Sequence, residues 1–379
     1  MKKTVRSGPS TPLRTGYTTG ACAAAAAKGA ALMLMQQVGI ADVSIDLPTG
    51  AVAAFELHGQ SFSEHEATCF VIKDAGDDPD VTHGVEVWAR IAANPPRPPF
   101  IEGGSEIRIK GGTGIGKVTK PGLAIPPGEW AINPVPRKMI EASVRSAFSL
   151  HAPCPLPLVV TISIPDGEER AKKTLNARLG IIGGLSILGT TGIVRPISTQ
   201  AWTDTIDAAL DVAKACGCEN VVLSTGRSSE MAAQNFFTLH SSPLTLPEEA
   251  CIMMGDHVAY ALQACAKRGF MQPIIACQFA KLLKIACGHE NTHAAASDLD
   301  LAVLRGWAEA AGFSAEIIAL INQANTAREI AVASGFDPPL MQLVMYHARQ
   351  AAAVHAPGSE VLPLLCGYDG GVISSSLHF

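Results

Sequence analysis

The sequence lacks the cysteine spacing of a disulfide scaffold or a zinc ribbon. Its ten cysteines are scattered from Cys22 to Cys366 without a C-x-x-C pair, and the two nearest are Cys216 and Cys218. This spacing disfavours both kinds of cysteine site and indicates a reducing compartment. We therefore expect a cytoplasmic protein.

The chain also lacks an excess of positive charge and a long apolar run. Lysine and arginine number 29 against 34 acidic residues, so the formal net charge is −5. We expect no nucleic-acid partner, and an anionic ligand must meet a local group of basic residues. No apolar run reaches about 18 residues, so we expect no membrane association. Lys28 interrupts the alanine-rich run at 23–27, which disfavours a secretory leader.

The length and the apolar content predict two compact domains. The chain has 379 residues, of which 47% are apolar and 17% charged, and one hydrophobic core rarely serves more than about 250–300 residues. Disorder is disfavoured by the same composition. We place the domains at 1–180 and 181–379, because the pattern of elements changes near residue 180.

The first half reads as an α+β domain with several strands and few helices. A helix at 20–38 follows the capping residues Thr18 and Thr19. The other elements of this half are strands at 43–47, 68–72, 85–91, 106–109 and 159–164, and a helix at 136–149.

After residue 180 strands and helices alternate, which is typical of βαβ units in a parallel α/β sheet. The predicted strands are 185–188, 221–224, 250–254, 273–277 and 361–365. The predicted helices are 198–215, 229–240, 256–267, 280–286 and several within 298–355. Ligands of such sheets bind beyond the carboxyl ends of the strands, where this chain has segments 189–192, 225–227, 255–256 and 367–369.

Two short motifs favour other functions. Residues 111–117 fit the P-loop spacing G-x-x-x-x-G-K, but Val118 replaces the magnesium-binding hydroxyl and Pro121 prevents the required helix. His289, Glu290 and His293 fit H-E-x-x-H, which on a helix would hold zinc. We favour a glycine-rich turn for the first and a polar loop at a helix end for the second.

Two further segments suit ligand chemistry. Residues 73–83 crowd four carboxylates into one turn, and mutual repulsion would raise the pKa of at least one of them and suit it to proton transfer. A solvated acidic turn is the alternative. Residues 13–23 form a glycine-punctuated helix start beside Arg14 that would present free amides to an anion. Simple helix packing is equally compatible with that segment.

Together these segments resemble the CbiD family, the cobalt-precorrin-5B C(1)-methyltransferases of anaerobic-type cobalamin biosynthesis. The resemblance runs from Leu13 to about Asp369. Its most specific parts are residues 13–28, 73–84, 111–119, 176–196 and 283–288, together with Thr292 and His293. Lys117, His289 and Glu290 fall outside the family pattern, which weakens the P-loop and zinc interpretations.

The resemblance implies methyl transfer from S-adenosylmethionine to carbon 1 of a cobalt-containing tetrapyrrole. It also implies that the second domain is Rossmann-like and binds the methyl donor, while the α+β domain is the candidate corrinoid side. The transfer itself requires alignment of an already activated methyl group and no metal ion held by the protein. A homo-oligomer is a further expectation.

Each site residue has an expected role. We expect Asp77 or Asp78 to be the base that makes the ring carbon nucleophilic. The substrate-binding candidates are Arg14, Thr18, Thr19, Lys73, Asp74, Lys120 and His293. The cofactor-binding candidates are Gly189, Thr190, Thr191, Gly192, Thr225, Gly226 and Asp256. Two alternatives remain open, a corrinoid-binding protein without chemistry and a zinc-dependent hydrolase that uses His289, Glu290 and His293.

Overall fold

The computed structural model describes residues 13–93, 107–149, 157–239 and 246–375. The chain divides into two compact units, Met1–Ser198 and Thr199–Phe379. The boundary predicted at 180 therefore differs from this division by 18 residues. The physical reason is strand pairing, because Ile181–Ile182 and Ile193–Val194 both pair with strands of the first unit.

The first unit contains eleven strands and three helices among its described residues. The strands are β1 (Gly16–Tyr17), β2 (Asp42–Asp46), β3 (Val52–Glu56), β4 (His58–Phe62), β5 (Glu66–Ile72), β6 (Glu86–Ala93), β7 (Ile107–Gly111), β8 (Lys117–Val118), β9 (Leu158–Ser163), β10 (Ile181–Ile182) and β11 (Ile193–Val194). The helices are α1 (Thr19–Gln36), α2 (Pro134–Ser149) and α3 (Gly167–Ala171).

A five-stranded mixed sheet organises this unit. Its strand order is β4-β5-β6-β9-β7, with only the β7–β9 pair parallel. Alternate residues of β5 and β6 are buried, so one face of the sheet carries the core. Smaller antiparallel pairs join β2 to β3, β1 to β11 and β8 to β10.

Helix α1 lies in the centre of that core. It contacts α2 and strands β5 and β6, and the five alanines at 23–27 are fully buried. Small side chains allow this approach, since a Cβ at Gly29 would lie 2.3 Å from the Leu57 side chain. The alanines therefore allow neighbouring elements to pack closely around nearly every side of this helix.

The second unit contains five strands and eight α-helices among its described residues. The strands are β12 (Val222–Ser224), β13 (Cys251–Met253), β14 (Ile274–Gln278), β15 (Leu362–Cys366) and β16 (Val372–Ser375). The helices are α4 (Thr199–Ala215), α5 (Arg227–Leu239), α6 (Val258–Lys267), α7 (Phe279–Ala286), α8 (Leu301–Ala310), α9 (Ala315–Gln323), α10 (Ala327–Ala333) and α11 (Pro338–Ala353).

These strands form one sheet in the order β13-β12-β14-β15-β16, in which only β16 runs antiparallel to its neighbour. Side chains of successive residues point to opposite faces. Leu223 and Ile275 join the core formed with α4, α6, α7 and α11, whereas Val222 and Ile274 join the core formed with α5. The unit is thus an α/β sandwich with helices on both faces, and the whole chain is a mixed α/β protein.

Most predicted elements are present within a few residues of their predicted bounds. The predicted strand at 185–188 is wrong, because Leu185 and Ile187 make only isolated bridges to Ile115 and Ile132 in the first unit. The elements that were not predicted are strands β1, β3, β4, β8, β10, β11 and β16 and the short helix α3. Glu106, the predicted start of a strand, lies outside the described residues, as does His240 at the end of a predicted helix.

Candidate functional site

Three segments of the first unit meet beside the start of α1, and we call residues 13–19, 73–80 and 186–197 together the acidic junction. Strand β1 lies between the other two segments. It pairs with β11, and Tyr17 donates its backbone N–H to the Asp74 carbonyl at 2.7 Å. The contact is close enough to require glycine, since a Cβ at Gly16 would lie 2.1 Å from the backbone of Ala75.

Asp74 is an ion-paired carboxylate in this junction. Arg14 donates to both of its oxygens, with Nη2 to Oδ1 at 3.0 Å, and the Gly76 N–H donates to Oδ1 at 2.9 Å. The hydrogen bonds from Arg14 lower the pKa of Asp74 to about 2. Asp74 is therefore a weak base, and the guanidinium predicted to receive a substrate anion already binds this carboxylate.

Lys73 is not available to a substrate. Its side chain is only 1% exposed, and its ammonium donates to Asp80 Oδ2 at 2.6 Å. Burial acts to raise the pKa of Asp80, but the charge and hydrogen bond of Lys73 outweigh it and the pKa is lowered. The ammonium that we predicted to bind substrate is thus already bound to a carboxylate of the same turn.

Asp77 and Asp78 have no cation as a hydrogen-bond partner among the described residues. Asp77 Oδ2 accepts the Arg14 backbone N–H at 2.6 Å, and Asp78 Oδ1 accepts the Ile197 N–H at 3.0 Å. Asp77 is exposed and Asp78 is half-buried. These two carboxylates differ from Asp74 and Asp80 in that backbone amides alone hold them.

Ile197 is unusual in conformation and exposure. Its φ is +54°, which is strained for a β-branched residue, and its side chain is 79% exposed. The Asp78 carboxylate holds the backbone of this residue. Strain of this kind concentrates at functional sites.

The start of α1 does not offer the free amides that the sequence predicted. Gly20 donates to the Leu188 carbonyl at 3.1 Å, Cys22 donates to the Thr18 carbonyl at 3.1 Å, and the Ala21 N–H donates to Thr18 Oγ1 at 3.2 Å. Thr19 Oγ1 accepts the Leu188 N–H at 3.0 Å. Thr18 and Thr19, which we predicted to bind substrate, are both buried and take part in packing this helix.

The loop Gly189–Gly192 lies in the first unit, whereas we predicted it at a strand end of the second. Thr18 donates its N–H to the Gly192 carbonyl at 3.0 Å. A Cβ at Gly189 would lie 2.5 Å from the Thr18 side chain, and one at Gly192 would lie 2.8 Å from Leu47. Both glycines also have positive φ. Their lack of a side chain is explained by packing against the protein, and only Thr190 and Thr191 of this loop are exposed.

Burial also changes the expected chemistry of Cys22. Its thiol is fully buried, and burial raises its pKa to about 12. Cys22 is therefore a weak nucleophile although it lies near a helix start. Lys120 is not part of the acidic junction. Its Nζ donates to the Arg178 carbonyl at 3.4 Å, and its aliphatic stem packs on Gly180.

In the second unit, the loops after the parallel strands form a polar region that we call the carboxyl edge, made of residues 224–227, 254–257, 278–281 and 367–369. Met254 and Gly255 donate their N–H groups to the Ser224 carbonyl. Thr225 donates its N–H to Ala276 O at 3.2 Å. Gly226 is open, because a Cβ there would meet no atom within 4 Å.

Asp256 is the charged centre of this edge. Its Oδ1 accepts hydrogen bonds from Lys281 and, at 2.6 Å, from Thr292 Oγ1. Burial opposes ionisation, but these two donors outweigh it and the pKa of Asp256 is lowered. Its Oδ2 accepts no hydrogen bond from the described residues. His293 follows Thr292 and lies exposed in the second unit.

The two competing motifs lack the required helices. Lys117 lies in strand β8, opposite Ile182, so no helix follows the glycine-rich turn. Helix α7 ends at Ala286, and residues 289–293 are not helical. Within the described ranges, no group of three or more histidine, cysteine or acidic side chains is placed to hold a metal ion.

Two other features lie apart from these residues. A cavity of about 660 Å³ is lined by residues that precede β12, β14 and β15, among them Asn220, Gln272 and Glu360, so it lies at the opposite edge of the sheet. No helix in the described residues combines the length and apolar character that a membrane crossing requires.

Sequence reasoning missed three residues of these sites, Ile197, Trp202 and Lys281. Trp202 lies in the first turn of α4 with 44% of its side chain exposed. Nothing in their sequence neighbourhoods marks them. Their significance comes from partners more than 20 residues away, namely Asp78, Met254 and Asp256.

Comparison with known proteins gives one consistent family. The family model described as CbiD matches residues 6–196, and the model of the CbiD C-terminal domain matches residues 291–376. A protein of Pelobacter propionicus named cobalt-precorrin-5B C(1)-methyltransferase is 57% identical, with 97% of each chain covered. A protein of the same name from Geobacter sulfurreducens is 56% identical, covering 95% of this chain and 98% of the relative.

A solved structure is also similar. It is titled a cobalamin biosynthesis protein (cbiD) from Archaeoglobus fulgidus, and it is 27% identical with a TM-score of 0.38, covering 71% of this chain and 78% of that one.

Proposed function

The chain belongs to the CbiD family, and from this premise we propose that it methylates carbon 1 of cobalt-precorrin-5B in anaerobic-type cobalamin biosynthesis. The observation that carries the proposal is identity of 55–57% with four relatives of that name over at least 95% of this chain. Identity at this level extends over both units. The enzyme is thus a C-methyltransferase, and S-adenosylmethionine is the methyl donor that we propose for it.

We propose the acidic junction as the corrinoid side and Asp77 or Asp78 as the base. Asp74 and Asp80 are each bound to a cation, which favours the other two carboxylates for accepting a proton. The exposed Thr190, Thr191 and Ile197 belong to the same junction. They offer hydroxyl groups to substrate carboxylates and an apolar contact to the tetrapyrrole ring.

The methyl donor in this proposal binds at the carboxyl edge. Counted within the unit, the strand order is 2-1-3-4-5, which is a known order of doubly wound, Rossmann-like sheets. The order reverses between β12 and β14, and ligands of such sheets bind at that point. Thr225 and Gly226 follow β12 there, and the open space at Gly226 leaves room for a ligand next to the backbone.

In this proposal the protein aligns the methyl group with the ring carbon and removes a ring proton. The sulfonium supplies an activated methyl group, so the transfer requires the ring carbon at about 3 Å from that methyl group. Removal of a ring proton by a carboxylate makes this carbon electron-rich. We further propose a cytoplasmic location, since no disulfide joins the nine described cysteines to one another.

The direct test is a single-turnover reaction of the purified protein with S-adenosylmethionine and cobalt-precorrin-5B. Mass spectrometry is expected to show one added methyl group on the tetrapyrrole and an equal amount of S-adenosylhomocysteine. Binding of the tetrapyrrole without S-adenosylhomocysteine would instead support a corrinoid-binding protein. A tightly bound zinc ion together with no methyl transfer would support the hydrolase alternative.

A further inference from the structure

Trp202 is a partly exposed aromatic residue that contacts the carboxyl edge at Met254 and Gly255. It lies in the first turn of α4, and 44% of its side chain is exposed. Exposed tryptophan surface costs free energy in water unless a ligand covers it. The exposed part of this ring offers a flat apolar surface to a ligand.

Three contacts hold the indole in place, and one of them is with the His257 ring, whose centroid lies 6.3 Å from that of the indole. The indole Nε1–H donates to the Met254 carbonyl at 3.0 Å. One edge of the ring rests on Gly255, where an added Cβ would lie 2.8 Å from the indole. Gly255 has a φ of +59°, so the backbone bends here in a way that glycine favours. The ring is thus anchored on the loop that follows β13.

The neighbouring groups match the polar part of a nucleoside. Asp256 follows Gly255 directly, and its Oδ2 accepts no hydrogen bond from the residues that the structure describes. A carboxylate oxygen in this position is an acceptor for ribose hydroxyls. The Ser224 carbonyl binds the N–H groups of Met254 and Gly255, which places the loop beside Thr225 and Gly226.

We propose that Trp202 is the platform on which the adenine ring of the methyl donor stacks. This inference rests on the proposed function, and it specifies the part of the donor that the α4 side of the carboxyl edge receives. Adenine is flat and uncharged, and stacking on an aromatic ring suits it.

The experiment is titration calorimetry with S-adenosylhomocysteine on the full-length protein. Trp202→Leu removes the aromatic face and is expected to weaken binding about 10-fold or more, given the usual contribution of base stacking. Trp202→Phe keeps an aromatic face but loses the hydrogen bond to Met254, and it is expected to bind within about 3-fold of wild type. Tyr346→Leu, which changes an exposed aromatic residue on α11, is the matched control and is expected to bind like wild type.

A truncated ligand separates stacking from a structural role. S-ribosylhomocysteine lacks adenine, so Trp202→Leu is expected to bind it as wild type does. Equal losses for both ligands, or a loss in Trp202→Phe as large as in Trp202→Leu, would overturn the inference and make Trp202 a structural anchor. Unchanged S-adenosylhomocysteine binding in Trp202→Leu would also overturn it. Failure of the wild-type protein to bind S-adenosylhomocysteine would instead reject the proposed methyl donor.

Discussion

Asparagine and alanine replacements of Asp78 separate its contact with the backbone from its chemistry. Asparagine keeps an oxygen that can accept the Ile197 N–H, which Asp78 Oδ1 accepts at 3.0 Å, but it cannot take up a proton at neutral pH. Alanine removes both functions. Asp78→Asn is therefore expected to keep the fold, and Asp78→Ala is expected to release the strained Ile197.

The expected magnitudes differ enough to be distinguished. Loss of the hydrogen bond at this half-buried site lowers the free energy of unfolding by about 1 kcal/mol in Asp78→Ala. Loss of a general base lowers the rate about 10²-fold or more, which corresponds to a barrier higher by about 2.7 kcal/mol. If Asp77 is the base instead, the same rate loss is expected in Asp77→Asn.

Asp74→Asn is the matched control from the same turn. Its carboxylate has a pKa of about 2 because Arg14 holds it, so at neutral pH it has little driving force to accept a proton. Its contribution to stability is fully present above the ordinary carboxylate pKa of 3.8 and is lost as the pH falls through about 2. Because the pair is exposed, it contributes little to stability, and Asp74→Asn is expected to lower the rate far less than the loss of a general base does.

The assay is single-turnover methyl transfer with saturating S-adenosylmethionine, run beside calorimetry of S-adenosylhomocysteine binding and urea unfolding. A rate loss with normal binding and stability identifies the base. Near-normal rates in both Asp77→Asn and Asp78→Asn would refute the assignment, and the acidic turn would then be a structural element. A rate loss in Asp78→Ala alone would show that the contact with Ile197 is what matters.

Three further outcomes are expected. An added Cβ at Gly226 would meet no protein atom within 4 Å, so Gly226→Val is expected to weaken S-adenosylhomocysteine binding about 10-fold while urea unfolding stays unchanged. Unchanged affinity would remove Gly226 from the site. Native-state alkylation at pH 8 is expected to label the exposed Cys216 and to spare Cys22, because burial raises the pKa of the Cys22 thiol to about 12. Labelled Cys22 in peptide mass spectrometry would contradict its burial. Ile197→Gly relieves a strained backbone and is expected to raise the free energy of unfolding by about 0.5 kcal/mol. A lower free energy of unfolding in urea would show that the φ of +54° carries no strain.

The sequence by itself determined the elements that depend on local patterns. The capping Thr18 and the alanine run that follows predicted α1, and its N-terminal cap is confirmed by the hydrogen bond from Ala21. The strands and helices after residue 198 repeat at regular intervals, so the parallel sheet could be predicted from their order. The family resemblance was confirmed as well, because long ordered segments such as 176–196 carry enough information to identify it.

Only the tertiary structure decided which of these residues meet. Segment 186–197 pairs with β1 and packs on Thr18, although its glycines suggested a ligand loop of the second unit. Lys73 is buried in an ion pair with Asp80, although a lysine beside four carboxylates suggested a substrate contact. The Lys73–Asp80 pair joins residues only seven apart, and its burial comes from the fold around it. The other contacts join residues 60 or more apart, and a local pattern contains no information about such partners.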